Sequence, residues 1–377
     1  MPRKKIKTIG VDASALAAIN PTGVGKYVES LLKAMQGLEW REDELIKLYV
    51  PKGFAPPSWL NNEHFLITPL SWPLFTLWTH LRLGIELKIK PPNLFVSLSH
   101  EIPILALVSL PIVATVHDIV FKRTPVAYSA IALRRQEWSI RQVIKKAELI
   151  IGVSKATCEA VSEDYEVEKT RLRSIPLSGY IKDELLTAKF DFDSAGIEPG
   201  KYWLTVGRVE TKKNQGLLIK AFDKWLDGGA DCDLVIVGGF GFGGLEIMKI
   251  ALKCKHKDRI KFFDYLPQSQ LEALWSGAIG LAFPTLGEGF GLPVLEAMSR
   301  GVPVLASDLP VLREVGGEAV WYALLNEIDQ WVRGLEELTN NQAIRANLIA
   351  VGKIEAEEFS WEKTARATQA VWREILA

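Results

Sequence analysis

The chain has little of what marks a metal site or a disulfide scaffold. Its 377 residues include three cysteines, Cys158, Cys232 and Cys254, and five histidines. A widely spaced, odd set of cysteines forms neither a disulfide framework nor a metal knuckle, and fits a reducing compartment. The histidines show no ligand spacing, so no metal site is expected. There is no excess of either charge. Lys plus Arg and Asp plus Glu each total 45, so no global field draws the chain to nucleic acid or to an anionic membrane. The longest apolar stretch, Ile102 to Val116, is 15 residues and is broken by Pro103 and Pro111. That is too short and too interrupted to span a bilayer. Arg3, Lys4, Lys5 and Lys7 resemble the start of a signal peptide, but Asp12 interrupts the apolar run that follows. No tandem repeat or low-complexity tract is present.

What is there is a long, ordinary globular composition, 48% hydrophobic and 24% charged. This length exceeds one ordinary core and predicts two domains. Short apolar segments alternate with helical ones. The expected strands are IKTIGVDA, DELIKLYVP, NLFVSLS, PIVATVHD, AELIIGVS, RLRSIPL, YWLTVGR, CDLVIVGG, RIKFFDY, IGLAFPT and VPVLASD. Most lack period-2 alternation, as strands buried on both faces do. Strand–helix alternation over two halves predicts two doubly wound parallel α/β domains. Ser178 to Lys201 is polar and aperiodic, with turn residues at Gly196, Pro199 and Gly200, and reads as the boundary. The expected division is 1–180 and 181–358, with the C-terminal helix 359–377 crossing back to the first domain.

The most informative segment runs from Gly287 to Val315, GEGFGLPVLEAMSRGVPVLASDLPVLREV. A strand, LAFPT, leads into a glycine-rich turn and then a helix, which builds a ligand cradle at the carboxyl end of a parallel sheet. Glu288 sits in the turn. Glu296 sits about two turns into a helix that starts near Pro293, a good first-turn residue. Two acids facing one crevice can accept hydrogen bonds from several hydroxyls, which suits a sugar and a ribose better than a phosphate. The competing reading is a charged helix start, where Glu is favoured by the dipole.

Three segments of the second half together resemble the retaining glycosyltransferases of the glycosyl-transferase group 1 type. They are TVGRVETKKNQGLLIKAF, DLVIVGGFGFGG and LAFPTLGEGFGLPVLEAMSRGVPVLASD. PTGVGKYVESLLKAM, TVHDIVFKRTP and IIGVSKAT of the first half follow in the expected order. The resemblance implies the GT-B fold, two Rossmann-like doubly wound parallel-sheet domains facing across a cleft. It implies transfer of a hexose from a nucleotide-diphosphate sugar to a saccharide or lipid-linked hydroxyl, without a metal or other cofactor. The overall look resembles bacterial polysaccharide mannosyl-type transferases, which favours GDP-mannose.

The residues make chemical sense in that reaction. Negative charge grows on the leaving diphosphate, and fixed cations aimed there lower the barrier. Arg208 follows a strand end and Lys213 lies five residues on; Arg grips phosphate bidentately and Lys acts as a point charge. The resemblance assigns both to the diphosphate, Glu288 to donor-sugar hydroxyls and Glu296 to the ribose. It places His117, at the end of PIVATV, beside the donor sugar. Gly23 and Gly25 open a helix after the first strand, where backbone N–H groups can approach an anion. Gly207, Gly239, Gly289, Phe290, Gly291 and Leu292 complete the expected donor-binding set.

Other patterns read as decoys. Gly239 to Gly244 fits G-x-G-x-x-G, but Asp258 precedes a strand rather than ending one, so a dinucleotide site is disfavoured. Asp191–Asp193 and Asp231–Asp233 spell D-x-D, in the boundary and before a strand, and read as aspartates facing water on the protein surface. Leu70 to Pro91 carries Trp72, Phe75, Trp78, Arg82, Lys88 and Lys90. It reads either as an amphipathic helix packed on its own domain or as a peripheral contact with a membrane. Nucleic acid is not an expected partner, and a cytoplasmic location is expected. The alternatives are a GT-B-type UDP-sugar epimerase and an inactive nucleotide-sugar-binding partner protein.

Overall fold

The computed structural model describes residues 6–18, 23–73, 77–105, 109–179 and 189–377. Arg3, Lys4, Lys5, Thr22 of the Thr22–Gly25 loop, Phe75 of the aromatic–basic segment, and 180–188 of the expected boundary lie outside them. The chain divides into two compact units. One comprises Met1–Ile119, Arg134–Leu177 and Ser360–Ala377; the other comprises Val120–Leu133 and Ser178–Phe359.

The first unit is built on a seven-stranded sheet: β1 (Lys7–Asp12), β2 (Glu44–Pro51), β3 (Phe65–Leu70), β4 (Leu94–Ser97), β5 (Ile112–Val116), β6 (Leu149–Gly152) and β7 (Leu172–Ser174). Their order is β3-β2-β1-β4-β5-β6-β7. The second unit has six strands: β8 (Tyr202–Val206), β9 (Asp233–Val237), β10 (Ile260–Phe263), β11 (Gly280–Phe283), β12 (Val304–Ser307) and β13 (Val320–Ala323). Their order is β10-β9-β8-β11-β12-β13. Each strand pair is parallel. The order reverses between β1 and β4 and between β8 and β11. Loops leaving the carboxyl ends diverge at such points and leave room for a ligand.

The central strands β4, β5, β6, β9, β11 and β12 are buried at every position. That is why they read as unbroken apolar runs. The two strands that the sequence pattern did not show, β3 and β13, are sheet edges. In β3 only the terminal Phe65 and Leu70 are buried, and Pro69 interrupts it, as an edge tolerates. In the second unit, helix Gln215–Asp227 buries Leu218, Ile219, Phe222 and Trp225 along one stripe. Helix Ile328–Asn340 rides close over β12: a Cβ on Gly334 would lie 2.6 Å from a Leu305 methyl.

The C-terminal helix, Trp361–Leu376, belongs to the first unit. Ser360 caps it, accepting from the Lys363 N–H. Trp361 and Trp372 are buried. Arg373 forks onto the almost fully buried Glu44, at 2.8 Å from Nε to Oε1 and 2.7 Å from Nη2 to Oε2. Burial pushes the Glu44 carboxyl up, but the Arg373 guanidinium and the Arg41 N–H outweigh it and hold it below the usual range. Arg373→Leu strands a buried carboxylate and should cost about 3 kcal/mol at neutral pH. A carboxylate with a lowered folded pKa stabilises above its unfolded value of about 4.3, and that contribution fades as pH falls through the folded value. Denaturant unfolding of wild type and Glu44→Gln should therefore differ at pH 7 and converge in acid. A gap that does not change with pH would deny the ion pair this role.

Candidate functional site

Two strand exits in the second unit touch through glycine. Gly207 follows β8 at φ 137° and Gly238 follows β9 at φ 146°. A Cβ on Gly238 would stand 2.2 Å from the Gly207 carbonyl oxygen, so no other residue fits. Beyond them the exits stay paired, the Val209 N–H on the Gly239 carbonyl at 3.0 Å and the Gly241 N–H on the Val209 carbonyl at 2.8 Å. The buried Gln215 amide donates to the Arg208 carbonyl at 2.8 Å and fixes the turn. Arg208 itself is turned outward. Its side chain is 67% exposed and lies 3.9 Å from Glu210. A 3₁₀ turn, Thr211–Lys213, follows, and Asn214 at φ 54° starts the helix Gln215–Asp227.

Lys213 turns inward. Its stem lies over Gly207, whose absent Cβ would be 3.5 Å from Lys213 Cε. Its ammonium meets Glu288 Oε1 at 2.5 Å, with side-chain exposures of 15% and 11%. The ammonium also lies 5.2 Å from the Phe283 ring centroid. Thr285, fully buried, is the third member. Its hydroxyl is 2.9 Å from the same Glu288 Oε1, 3.1 Å from the Gly287 carbonyl and 3.2 Å from the Lys212 carbonyl. The Leu286 N–H donates to that Lys212 carbonyl at 2.8 Å. The β8 and β11 loops are thus clamped by backbone and side chains together. Burial raises the Glu288 pKa; the charges of Lys213 and Lys212 and the bonds from Lys213 and Thr285 outweigh it, and the net shift is downward. Both partners sit on Oε1, which leaves Oε2 as the second acceptor. The ammonium keeps two N–H donors beyond the one on Glu288.

After Glu288 the chain turns into helix Leu292–Ser299 through Gly291 at φ 110°, where a Cβ would lie 2.6 Å from a Leu312 methyl. Pro293 occupies the first turn. Gly289 is buried, and the Phe290 ring is buried edge-on to Phe359 at 5.6 Å, so what Phe290 can offer a ligand is its backbone. Leu292 opens the helix, and Glu296 is its fifth residue, one turn in rather than two. Arg300 closes it, donating to the Glu296 carbonyl at 2.8 Å while forking onto Glu272.

His117 and the Gly23–Gly25 turn lie in the first unit. His117 is half-buried. Its Nε2 is 2.9 Å from the Leu98 carbonyl and its ring stands edge-on to Tyr27 at 4.8 Å. A carbonyl only accepts, so Nε2 carries the proton and Nδ1 is the acceptor. Burial lowers its pKa to about 4, so the ring is neutral at physiological pH. Asp118 follows it, half-buried. Gly23 is the first residue of helix Gly23–Met35, with nothing within 4 Å of its absent Cβ, and Gly25 is buried within the first turn.

The structure therefore brings Gly207, Lys213 and Glu288 together, with Arg208 and Gly239 on the adjoining exits and Gly289 to Glu296 continuing from the same loop. Among the described residues, no three His, Cys, Asp or Glu side chains cluster so as to hold a metal ion. Three of the four D-x-D aspartates have other work. Asp191 caps helix Phe192–Ala195, and Asp231 and Asp233 both pair with Arg259. Sequence reasoning missed Thr285, Gln215 and Gly238. The Pro-Thr that ends LAFPT, three residues before Glu288, was the available signal for the first.

Comparison with known proteins agrees with this geometry. Residues 188–354 match the family model described as glycosyl transferases group 1. The chain is 26% identical over 277 residues to the O-antigen chain mannosyltransferase RfbU of Salmonella typhimurium, covering 72% of each chain. It is 28% identical over 273 residues to O-antigen chain mannosyltransferase B of Escherichia coli, covering 68% of each. Its fold matches that of Anabaena HepE, solved in complex with UDP and glucose, at a TM-score of 0.71 and 18% identity over 98% of this chain and 99% of that one. Residues 188–354 are thus similar to the group 1 glycosyl transferases. The chain as a whole is mannosyltransferase-like, with two parallel-sheet α/β units of the GT-B class.

Lys213→Met should cost about 3–5 kcal/mol at pH 7, because it leaves Glu288 buried without its counter-ion. Adding Glu288→Gln should recover most of that loss. The wild-type pair, with its lowered carboxyl, stabilises above the unfolded value of about 4.3 and less as pH falls through the folded one. In Lys213→Met burial dominates and Glu288 takes up a proton on folding, so the cost should shrink as pH drops. Denaturation of the single and double variants from pH 7 to pH 4 checks this. Additive losses that do not vary with pH would contradict it.

Proposed function

We propose that the chain transfers a hexose, with retention, from a nucleotide-diphosphate sugar to a saccharide or lipid-linked hydroxyl, in the synthesis of a cell-surface polysaccharide or glycolipid. The observation that carries this is the buried Lys213–Glu288 pair beside the glycine-led helix Leu292–Ser299. A cation with free N–H donors, a carboxylate with a free oxygen and a helix N-terminus suit a ligand that joins an anion to a polyol. The named relatives are mannosyltransferases, which favours GDP-mannose as donor.

In this reading Lys213 keeps its bond to Glu288 and turns its other N–H groups to the diphosphate. Arg208, exposed at the loop edge, adds the second cation. Their charge, with the Leu292 N–H at the helix start, stabilises the leaving group as its glycosidic bond breaks. No metal is then needed to neutralise the diphosphate. Glu288 Oε2 accepts from a donor-sugar hydroxyl and Glu296 from the ribose. His117, with Nε2–H engaged by Leu98, offers Nδ1 as an acceptor to a sugar hydroxyl. The Gly23–Gly25 turn offers backbone N–H groups. The acceptor hydroxyl is the nucleophile, and the departing phosphate takes its proton.

Transfer from GDP-mannose should persist in EDTA and should fall about 10²-fold or more in Arg208→Ala, which removes a charge-stabilising contact. Abolition by EDTA with rescue by Mg²⁺ or Mn²⁺ would overturn the metal-free reading. The two glutamates should separate in calorimetry with the free nucleotide diphosphate. Glu296→Gln loses a charge-assisted bond of about 1.5–3 kcal/mol to a ribose that is the same before and after transfer, so affinity should fall. Glu288→Gln should leave that affinity nearly unchanged and lower turnover. The reverse pattern would exchange the two roles.

A further inference from the structure

The first unit holds a cavity that the site around Lys213 and Glu288 does not use. Its volume is about 150 Å³. It lies between the 3₁₀ turn Ser14–Ala17 that follows β1, the loop that follows β2, and the first turns of helix Gly23–Met35. Phe54, Pro57 and Trp59 line it from the β2 loop, Leu16 from the turn, and Gly25 and Glu29 from the helix. Both aromatic side chains are half-buried. The loop that carries them is held in place. The Phe54 N–H donates to the Pro51 carbonyl at 3.2 Å and the Leu60 N–H to the Pro57 carbonyl at 3.0 Å. Pro56 and Pro57 fix two successive φ angles between them. Glu29 stands one turn beyond Gly25 on the same side of the helix. It is exposed and makes no ion pair or hydrogen bond among the described residues. The Trp59 indole N–H likewise has no acceptor among them.

A sugar ring offers C–H groups on its face and hydroxyls around its edge. An aromatic ring covers the first, while a carboxylate accepts from the second and an indole N–H donates to them. A nucleobase would also stack, but it comes with phosphates. No Lys or Arg lines the cavity, and Glu29 repels an anion. The volume lies below the roughly 300 Å³ at which sites for drug-sized ligands begin, so it suits one ring. Its position in the unit adds a second constraint. Tyr27, two residues on from Gly25, points to the other side of the helix, where its ring meets His117 at 4.8 Å. A helix with its side chains is about 10–12 Å across. A ring in the cavity and a hydroxyl beside His117 therefore belong to different sugar residues.

We infer that this cavity seats a hexose of a saccharide acceptor, with Phe54 and Trp59 against its C–H face and Glu29 on its hydroxyls, at least one residue away from the hydroxyl that attacks. The inference rests on the proposed transfer and narrows it, making the acceptor a saccharide of two or more residues. Calorimetry of the full chain with an α-linked mannotriose, without donor, tests it. Mannotriose should bind about tenfold or more tighter than methyl α-mannoside. Glu29→Gln, at an exposed position, should lower mannotriose affinity about tenfold or more by the loss of a charge-assisted hydrogen bond. Trp59→Ala should lower it as much, and GDP affinity should not change in either variant. Mannotriose binding that depends on Glu29, in a chain that transfers nothing from GDP-mannose, would remove the transfer reading and leave the saccharide cavity standing. Equal affinity for the two saccharides, or mannotriose binding undiminished in Glu29→Gln, would overturn the inference whether or not transfer occurs.

Discussion

A lysine and a glutamate stay ionised together inside a protein only where each replaces the water the other has lost. Lys213 and Glu288 do so at 15% and 11% exposure, and much of the surrounding backbone serves that end. Gly207 lets the lysine stem cross the strand exit, and Gly238 lets the next strand's exit close against it. The Thr285 hydroxyl, with one proton to give, lies within reach of the carboxylate oxygen that the ammonium also holds, and the Leu286 N–H on the Lys212 carbonyl ties the β11 loop to the β8 loop. A half-satisfied pair of this kind would cost more than apolar residues in its place. In the proposed transfer both charges of the pair would be used by the ligand.

The arrangement also divides the labour among the cations. Lys213 is fixed by its partner; in the proposed transfer that fixation would lower the reorganisation needed at the moment of reaction. Arg208 is exposed and only loosely engaged with Glu210. In the proposed transfer one cation would supply position and the other reach. The same contrast holds between the glutamates. Glu288 is locked in a loop, whereas Glu296 stands on a helix whose carboxyl end Arg300 secures to Glu272.

Much of this was legible in the sequence because burial on both faces leaves an unbroken apolar run. The central strands and the strand–turn–helix around Glu288 were read that way. β3 and β13 were not, because an edge strand buries only part of its length and so loses both the run and the alternation. The residues of the site were legible by type, but not their pairing. Lys213 and Glu288 are 75 positions apart, and no local pattern says that they touch. Phe290 belongs to the expected donor-binding set, yet its ring faces Phe359. Thr285 does not stand out because a threonine at a strand end is common; the acceptors within reach of its hydroxyl come from the fold.

The account rests on the claim that the buried pair is one wall of a nucleotide-diphosphate site. The most direct measurement is a crystal structure of the chain with a nucleoside diphosphate bound. The account predicts the diphosphate within hydrogen-bond reach of Lys213 Nζ and the Leu292 N–H, with the Lys213–Glu288 bond intact and the ribose hydroxyls on Glu296. A diphosphate bound elsewhere, or bound only after Lys213 has left Glu288, would contradict it.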